Sequence, residues 1–473
     1  MKKCPHPEAP RASEASKDVL AYRQRLCEIG EMDEAKPGGS QSGAAALLGS
    51  RRFGPLFATQ FLSAFNDNAL KNALVLMLAY RPEMAEGMSA GILIPLAGGL
   101  FILPFFLLSA TAGELADALD KARLIRIIKL SEIAVMLAAA AGVIYGSPVT
   151  LLALLFVMGI EATFFGPLKY AILPDLLGLD DLLLGNALVE AGTFLAILFG
   201  TIAGMLIAGE HGAKLVAALI VLIALAAYLC SRSIPATAPG VARARVNINF
   251  VAATARLIAD ARHERVRFRS ILGISWFWLV GATYLSQFPT YVHLYLNSEE
   301  AVVTLFLTVF SVGVGCGSLL GNRILKGRIS ARVVPWAGLG IALFSILLWA
   351  ASPGGGPYTG ALLTVGEFLG HPASWVILVA LFGIAASGGV FILPLYALLQ
   401  TAGDEHRRAR AIGANNVVNA AAMVLSALAV IALVAAGVSV PQLFLLTGVL
   451  TLGVAAVFWR LRAGLVPSEA AAA

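Results

Sequence analysis

Apolar and polar residues alternate along this chain in long blocks. Twelve apolar segments, separated by polar connections, are each long enough for a helix that crosses roughly 30 Å of hydrocarbon. They are residues 54–80, 89–112, 124–146, 149–173, 183–209, 213–230, 270–296, 301–321, 332–351, 374–400, 410–436 and 439–461. The pattern predicts an all-α polytopic membrane protein with twelve transmembrane helices.

Composition supports this prediction and excludes several other classes. The 473 residues are 59% hydrophobic and only 13% charged, which is unusual for a water-soluble enzyme. The net charge of +6 does not indicate nucleic-acid binding, because the Lys and Arg residues cluster in the connections. The four cysteines are scattered, so we expect no disulfide framework, no metal site and no cofactor.

The distribution of Lys and Arg also predicts the orientation. Basic residues flank every second connection, for example Arg51 and Arg52 before the first segment and Arg460 and Arg462 at the last. The opposite connections carry almost none. By the positive-inside rule both termini are expected to be cytoplasmic. Residues 1–50 are polar, lack an apolar segment behind the basic start, and are expected to form a cytoplasmic tail.

The two halves of the chain contain related motifs in the same order. PLKYAIL from Pro167 resembles PLYALL from Pro394, and GNALVEA (185–191) aligns with ANNVVNA (414–420). We therefore expect a repeat of six plus six helices, with a substrate site near the midplane between the halves. The predicted domains are a tail (1–50), an N-terminal six-helix bundle (51–230), a partly amphipathic cytoplasmic linker (231–269), a C-terminal bundle (270–462) and a short tail (463–473).

The connection after the second segment contains a gating motif. GELADALDKAR fits the pattern G-x-L-x-D-x-x-x-[RK]-x-[RK], which is typical of major facilitator transporters. An Asp at a helix end there can pair with a neighbouring helix end and hold the cytoplasmic side shut. The residues assigned to this motif are Gly113, Asp117, Lys121 and Arg123.

Ionisable residues within the apolar segments are the candidate substrate-binding groups, because burying charge in a bilayer is costly. They include Asp67, Lys71, Lys169 and Glu190. The mixture of both charge signs with amides suits a zwitterionic or anionic headgroup. Other interpretations stay open: Asp67 and Lys71 as a structural pair, Lys169 as an interfacial lysine, and Glu190 as a clamp between helices. Glu161 is expected to be a structural partner. The amide candidates are Asn68, Asn415 and Asn419.

Four of these stretches resemble the bacterial lysophospholipid transporter family of the major facilitator superfamily. QFLSAFNDNAL is similar to the first helix of that family, GPLKYAIL to a motif after its fourth helix, NALVEAGTFLAILFGTIAG to its fifth and FILPLYALLQ to its tenth. The resemblance implies an inner-membrane protein that moves lysophospholipids, such as lysophosphatidylethanolamine, from the outer to the inner leaflet for reacylation. It implies a monomer surrounded by membrane lipids, with any acyltransferase or acyl-ligase partner on a separate protein.

The seventh segment departs from the family pattern. Family members carry an Arg in that helix, whereas GATYLSQFPTYV has none. A headgroup contact there is therefore expected from Tyr284 or Gln287. Two alternatives remain: a proton-coupled exporter of amphipathic drugs or metabolites, and a membrane scaffold that docks a cytoplasmic acyltransferase. No enzyme is expected, because the H-x4-D centre of acyltransferases, a Walker A loop and HExxH are absent.

Overall fold

The computed structural model describes residues 43–80, 90–145, 147–207, 213–237, 250–354, 361–404 and 407–461. Twelve long helices make up most of this part of the chain. They are α1 (Gly54–Tyr80), α2 (Ala90–Ala118), α3 (Lys121–Tyr145), α4 (Pro148–Ala171), α5 (Leu173–Ile207), α6 (Ala213–Arg232), α7 (Arg265–Leu294), α8 (Glu300–Leu325), α9 (Val334–Ala351), α10 (Pro372–Thr401), α11 (Arg408–Ala435) and α12 (Val440–Leu461).

Eleven of the described helices, α2 to α12, are long and apolar enough to cross a membrane. The remaining one, α1, is 27 residues long, but a polar series from Asn66 to Asn72 interrupts its apolar sequence. The predicted all-α membrane architecture is therefore confirmed.

Helix packing repeats between the two halves of the chain. In the first half α1 packs on α5, α2 on α4 and α3 on α6, and in the second half α7 packs on α11, α8 on α10 and α9 on α12. The halves meet through two equivalent pairs, α2 with α11 and α5 with α8. This correspondence confirms two six-helix bundles related by an internal repeat.

Small residues allow α2 and α11 to approach closely where the halves meet. A Cβ added to Gly113 would lie 2.9 Å from the Arg410 Cα, and one added to Gly413 would lie 2.7 Å from the Ser109 carbonyl oxygen. Such contacts are typical of tightly packed membrane helices. A larger residue at either position would push the halves apart.

Several helix boundaries differ from those predicted. The fourth and fifth segments were expected to be joined by a loop, but α5 begins at Leu173, directly after α4 ends. The chain turns instead at Gly178, whose φ of 65° is readily adopted only by glycine. Likewise α2 extends to Ala118, so Asp117 lies in its last turn. Apolar segments mark the hydrocarbon-spanning part of a helix, whereas the hydrogen-bonded helix continues into the charged ends.

The segment expected as a linker contains a helix, Phe250–His263, called the linker helix below. Ala253, Leu257 and Ala261 form its buried face, which packs against α2, α7 and α11. The apolar face of this partly amphipathic segment is therefore covered by the helix bundles. The described secondary structure also includes two short helices, Ala44–Leu48 and Val365–Gly370, a 3-10 turn before α9 and an isolated bridge between Ser298 and Leu363.

The end of the predicted tail is also ordered. The helix Ala44–Leu48 contacts α1 and α5 and buries Leu47. Most of the predicted 1–50 tail, and all of the predicted 463–473 tail, lie outside the described residues.

Candidate functional site

A buried ion pair lies inside the N-terminal bundle. Lys129 and Glu132, one turn apart on α3, are 3% and 2% exposed, and Lys129 Nζ lies 2.5 Å from Glu132 Oε2. Lys129 also donates to the Ser63 hydroxyl of α1 at 2.7 Å and lies 4.1 Å from the ring centre of Phe165 on α4. The second Glu132 oxygen, Oε1, has no hydrogen-bond partner among the described residues. The pair thus connects α3 to α1 and α4.

Asp67 lies near this pair on α1. Its half-buried carboxylate is within electrostatic range of Lys71, Lys129, Lys169 and Glu132. Within the described residues it makes no ion pair, and Lys71 lies instead 4.6 Å from the ring centre of a phenylalanine on α2. The described part of the chain therefore leaves the Asp67 carboxylate available to a ligand.

The amides beside Asp67 are engaged in local hydrogen bonds. Asn68 donates to the Ala64 carbonyl of its own helix at 2.7 Å, and Asn66 donates to the Ile220 carbonyl of α6 at 3.1 Å. Asn66 is fully buried, so it fixes α1 against α6. Asn68 is half-buried and would have to exchange its helical partner to contact a ligand.

Lys169 and Glu190 lie where α4 and α5 meet the C-terminal bundle. Lys169 Nζ lies 4.9 Å from the ring centre of Tyr170, and the Tyr170 hydroxyl donates to the buried Glu190 carboxylate. The Tyr170 ring stacks on Tyr396 of α10 with 4.4 Å between ring centres. Glu190 is therefore connected through one tyrosine to the opposite half. Glu161 stands apart from this group and accepts a hydrogen bond from Ser131.

Amide side chains form further contacts in and between the halves. Asn186 of α5 and Gln400 of α10 exchange two hydrogen bonds, of 2.7 and 2.8 Å, across the interface. In the C-terminal half, Asn419 accepts from the Ser275 hydroxyl at 2.7 Å. Asn415 is fully buried and lies beside the hydroxyl of Tyr396.

The face formed by the connections after α2, α4, α6, α8 and α10, called the basic face below, is closed by helix-end contacts. Asp117 accepts hydrogen bonds from the main-chain N–H groups of Ala409 and Arg410, at 2.8 and 3.1 Å, and from Arg410 Nε at 3.2 Å. Arg407, the N-cap residue of α11, supplies no side-chain cap. Asp117 therefore caps α11 from the opposite bundle, where a negative charge also suits the helix dipole.

A second set of ion pairs reinforces this closure. Asp175 on α5 accepts from Lys121 Nζ and from Arg408 Nη1, each at 2.8 Å. Because Arg408 begins α11, Asp175 connects α3 and α5 to the opposite half. Arg123, also assigned to the gating motif, is exposed.

The turn between α2 and α3 is fixed to the segment after α6. Asp120 accepts from the Thr237 hydroxyl at 2.9 Å and from the Thr237 main-chain N–H at 3.2 Å. Partial burial raises the pKa of Asp120, but these hydrogen bonds outweigh it, and the pKa lies below its usual value.

Tyr284 and Gln287 are not brought to the charged residues of the N-terminal half. Tyr284 is fully buried within the C-terminal bundle, where its hydroxyl donates to Ser345 of α9 and its ring stacks on Phe444 of α12. Gln287 is half-buried, and among the residues that the structure describes it hydrogen-bonds only its neighbour Ser286. Tyr284 therefore serves first as a core residue of its own bundle, and its contact with substrate stays a prediction.

Several residues of this arrangement were not anticipated from the sequence. Lys129 follows the basic residues Lys121, Arg123 and Arg126 in the sequence and was not singled out, yet it is buried inside α3. A signal was present, since Glu132 follows one turn later in an otherwise apolar stretch. Tyr396 and Gln400 carry no such signal, because their roles arise only from contact between the halves. Within the described residues no group of three His, Cys, Asp or Glu side chains is placed to hold a metal ion.

Comparison with known proteins agrees with this architecture. Residues 56–425 match the family model described as Major Facilitator Superfamily. The chain is 29% identical over 388 residues to the lysophospholipid transporter LplT of Cronobacter sakazakii, covering 80% of this chain and 86% of that protein. It is 29% identical over 370 residues to LplT of Klebsiella pneumoniae, covering 77% and 82%.

Solved structures of other transporters share the fold. The human organic anion transporter MFSD10 superposes with a TM-score of 0.67 at 15% sequence identity, covering 86% of this chain and 99% of that chain. The transporter FucP in its outward conformation superposes with a TM-score of 0.63 at 15% identity, covering 87% and 98%.

Proposed function

The chain belongs to the major facilitator superfamily and is a multi-pass membrane transporter, and on that premise we propose that its substrate is a lysophospholipid. Relatives that align over more than three quarters of the chain carry that name. The observation that carries the proposal is the half-buried Asp67 carboxylate, which lies within electrostatic range of Lys71 and Lys169 and has no ion-pair partner in the described residues.

This combination of charges suits a zwitterionic headgroup on a single acyl chain. Lys169 or Lys71 would bind the phosphate, and Asp67 or Glu190 the ammonium group. Each buried CH₂ favours hydrocarbon by about 0.8 kcal/mol, so the acyl chain can remain in lipid or an apolar cleft while the headgroup crosses. Asn68, Asn415 and Asn419 would add hydrogen bonds, with Tyr284 and Gln287 as further candidates.

We propose that the basic face is cytoplasmic, in keeping with its Lys and Arg residues. Closure of that face, through Asp117 with Arg410 and through Asp175 with Arg408, then corresponds to an outward-facing state. Release of these contacts would open the inner side, and the lysophospholipid would move from the outer to the inner leaflet by alternating access. Reacylation by a separate acyltransferase would follow.

The moving bodies in this cycle would be the two bundles, residues 51–230 and 270–462, with 231–269 as the connection. Gly113, Lys121 and Arg123 would act with Asp117 as the gating motif. The bacterial inner membrane is the proposed location, and the functional unit would be a monomer.

A second candidate is proton-coupled export of amphipathic molecules. Its support is again the Asp67 carboxylate, because an unpaired carboxylate facing a polar path can carry a proton as well as bind an ammonium group. The two candidates differ in their dependence on a proton gradient.

The test is leaflet-resolved uptake in proteoliposomes. Labelled lysophosphatidylethanolamine is added outside, and the fraction that becomes inaccessible to albumin extraction is measured with and without a proton gradient. We expect uptake without a gradient, and a loss of tenfold or more in Asp67→Asn. Asp180→Asn, the same change at an exposed residue on the basic face, is the matched control. Uptake equal to protein-free liposomes would refute the lysophospholipid proposal, and uptake only with a gradient would favour proton coupling.

A further inference from the structure

A cavity of about 320 Å³ opens on the basic face, away from the charged residues within the bundles. Among the described residues, its walls come from the linker helix, the first turns of α7 and α11, and Asp404 and Arg407 between α10 and α11. The charged residues that line it are Asp260, Glu264, Arg267, Asp404, Arg407 and Arg410. Its volume is within the range of small-molecule sites.

The deepest charge in this cavity is a buried arginine. Arg267 is 3% exposed, and its Nη2 donates to the Asp404 carbonyl at 2.7 Å. Its Nε is buried and has no hydrogen-bond partner among the described residues. A guanidinium presents five N–H donors, and a buried donor without an acceptor is unfavourable. An acceptor-rich ligand in the cavity would satisfy it.

The acidic and basic side chains that line the cavity differ in how deeply they are buried. Asp260 and Glu264 are exposed, so water and salt screen them, although Glu264 lies within electrostatic range of Arg267. Asp404 is also exposed and lies 3.7 Å from Arg407. The positive charges of Arg267 and the partly buried Arg410 are screened less, and the buried Asp117 carboxylate offsets that of Arg410. Planar guanidinium groups are well suited to bind phosphate oxygens.

The cavity shares a residue with the closure of the basic face. Arg410 lines the cavity and also donates through Nε to Asp117, at 3.2 Å. An anion bound to Arg410 would compete with Asp117 for that donor. The two main-chain hydrogen bonds to Asp117 would remain, so occupancy would weaken the closure without abolishing it.

From these observations we propose that the cavity is a regulatory site for a phosphate-bearing anion, whose binding to Arg267 and Arg410 favours opening of the basic face. The site stands apart from the proposed substrate path. Binding is independent of the lysophospholipid proposal, and only the effect on transport rests on it.

Binding is tested with the purified full-length protein in an uncharged detergent. Inorganic phosphate and glycerol 3-phosphate are titrated by calorimetry at constant ionic strength, with chloride as the competing anion. We expect saturable binding, weakened about tenfold or more in Arg267→Gln, since hydrogen bonds to charged groups are strong. Because Arg267 is buried, that variant can fail to fold, and the exposed Arg407→Gln, expected to weaken binding several-fold, tests the same site.

Arg332→Gln removes an exposed arginine from the basic face outside the cavity and should bind as the wild type does. The same protein in nanodiscs, with or without phosphatidylglycerol, separates the two sources of phosphate. If phosphatidylglycerol competes with the soluble probes, the natural ligand is a lipid headgroup, and if it does not, the ligand is a soluble phosphate. Failure of both soluble probes to bind, or equal binding by Arg407→Gln and wild type, would overturn the site.

A separate measurement tests whether anion binding in the cavity is coupled to closure of the basic face. Asp117→Asn weakens the competitor for Arg410, so it should tighten phosphate binding several-fold, by reciprocity between linked equilibria. An unchanged affinity in Asp117→Asn would overturn the regulatory part of the proposal. Because calorimetry requires no transported substrate, that result is distinguishable from a failure of lysophospholipid uptake.

Discussion

Replacing one member of the buried ion pair of α3 should destabilise the protein strongly. In Lys129→Met, the 2% exposed Glu132 would keep only the Ser63 hydroxyl, at 3.4 Å, and its Oε1 already has no partner among the described residues. Breaking a buried pair by removing one partner costs about 3–5 kcal/mol, because the other charge is left uncompensated. We expect Lys129→Met to lose stability by about that amount.

Two further variants separate the sources of this loss. In Ser63→Ala, Lys129 loses one hydrogen bond of 2.7 Å but keeps Glu132 and the Phe165 ring, so a smaller loss of about 1.5–3 kcal/mol is expected. In the double variant Lys129→Met with Glu132→Met, neither charge of the pair remains. Apolar replacement of a whole buried pair is often neutral or stabilising by about 1–4 kcal/mol. The double variant should therefore be more stable than Lys129→Met alone.

The measurement is resistance to unfolding in detergent, followed by tryptophan fluorescence as a half-life at fixed temperature, because membrane proteins often unfold irreversibly. The reasoning is refuted if Lys129→Met survives as long as the wild type, or if the double variant is less stable than Lys129→Met alone. Transport by the double variant then distinguishes a role of the pair in transport from a purely structural role. A stable but inactive double variant means that these charges serve the substrate path, and an active one means that the pair is structural.

Three other outcomes are expected. Asp117→Asn should increase opening of the basic face several-fold. Opening is measured as thiol labelling of an Ala187→Cys reporter, a position fully buried between the halves. Unchanged labelling would contradict this prediction. Asp67→Asn should impair uptake of an ethanolamine lysolipid more than a glycerol one. Thr237→Val should shorten the half-life at pH 7 and lose this effect below about pH 4, because a lowered Asp120 pKa stabilises the fold only while that carboxyl is ionised.

The helices were predictable from hydropathy, but their ends were not. Apolar runs located all twelve long helices, since a span must satisfy its backbone hydrogen bonds internally. The runs stop where charge begins, whereas α2 continues through Asp117 and α5 starts before Asp175. Charged residues at these ends are still helical and pair with other helix ends. The residues that close the basic face were therefore assigned to loops on the basis of hydropathy.

The candidate site was partly predictable for a similar reason. Asp67 and Lys71 stand out because the surrounding residues are apolar, and no knowledge of packing is needed to see them. Lys129 did not stand out, because three basic residues that do belong to the basic face precede it in the sequence. The pairing of Asn186 with Gln400 depends on how two distant helices meet, and a single sequence contains no record of that contact.

The two halves repeat their helix packing but not their charge. Glu190 aligns with Asn419, and Lys169 aligns with Tyr396, so the C-terminal half has amide and aromatic groups where the N-terminal half has ionisable ones. Each charge within a bilayer costs at least about 2.5–3.5 kcal/mol, so carrying a second set would be unfavourable without a ligand to match. We infer that the headgroup stays with the N-terminal bundle throughout the cycle. On this inference the C-terminal bundle would rock against it through neutral contacts such as the Tyr170–Tyr396 stack, which can separate without leaving an unpaired charge in the membrane.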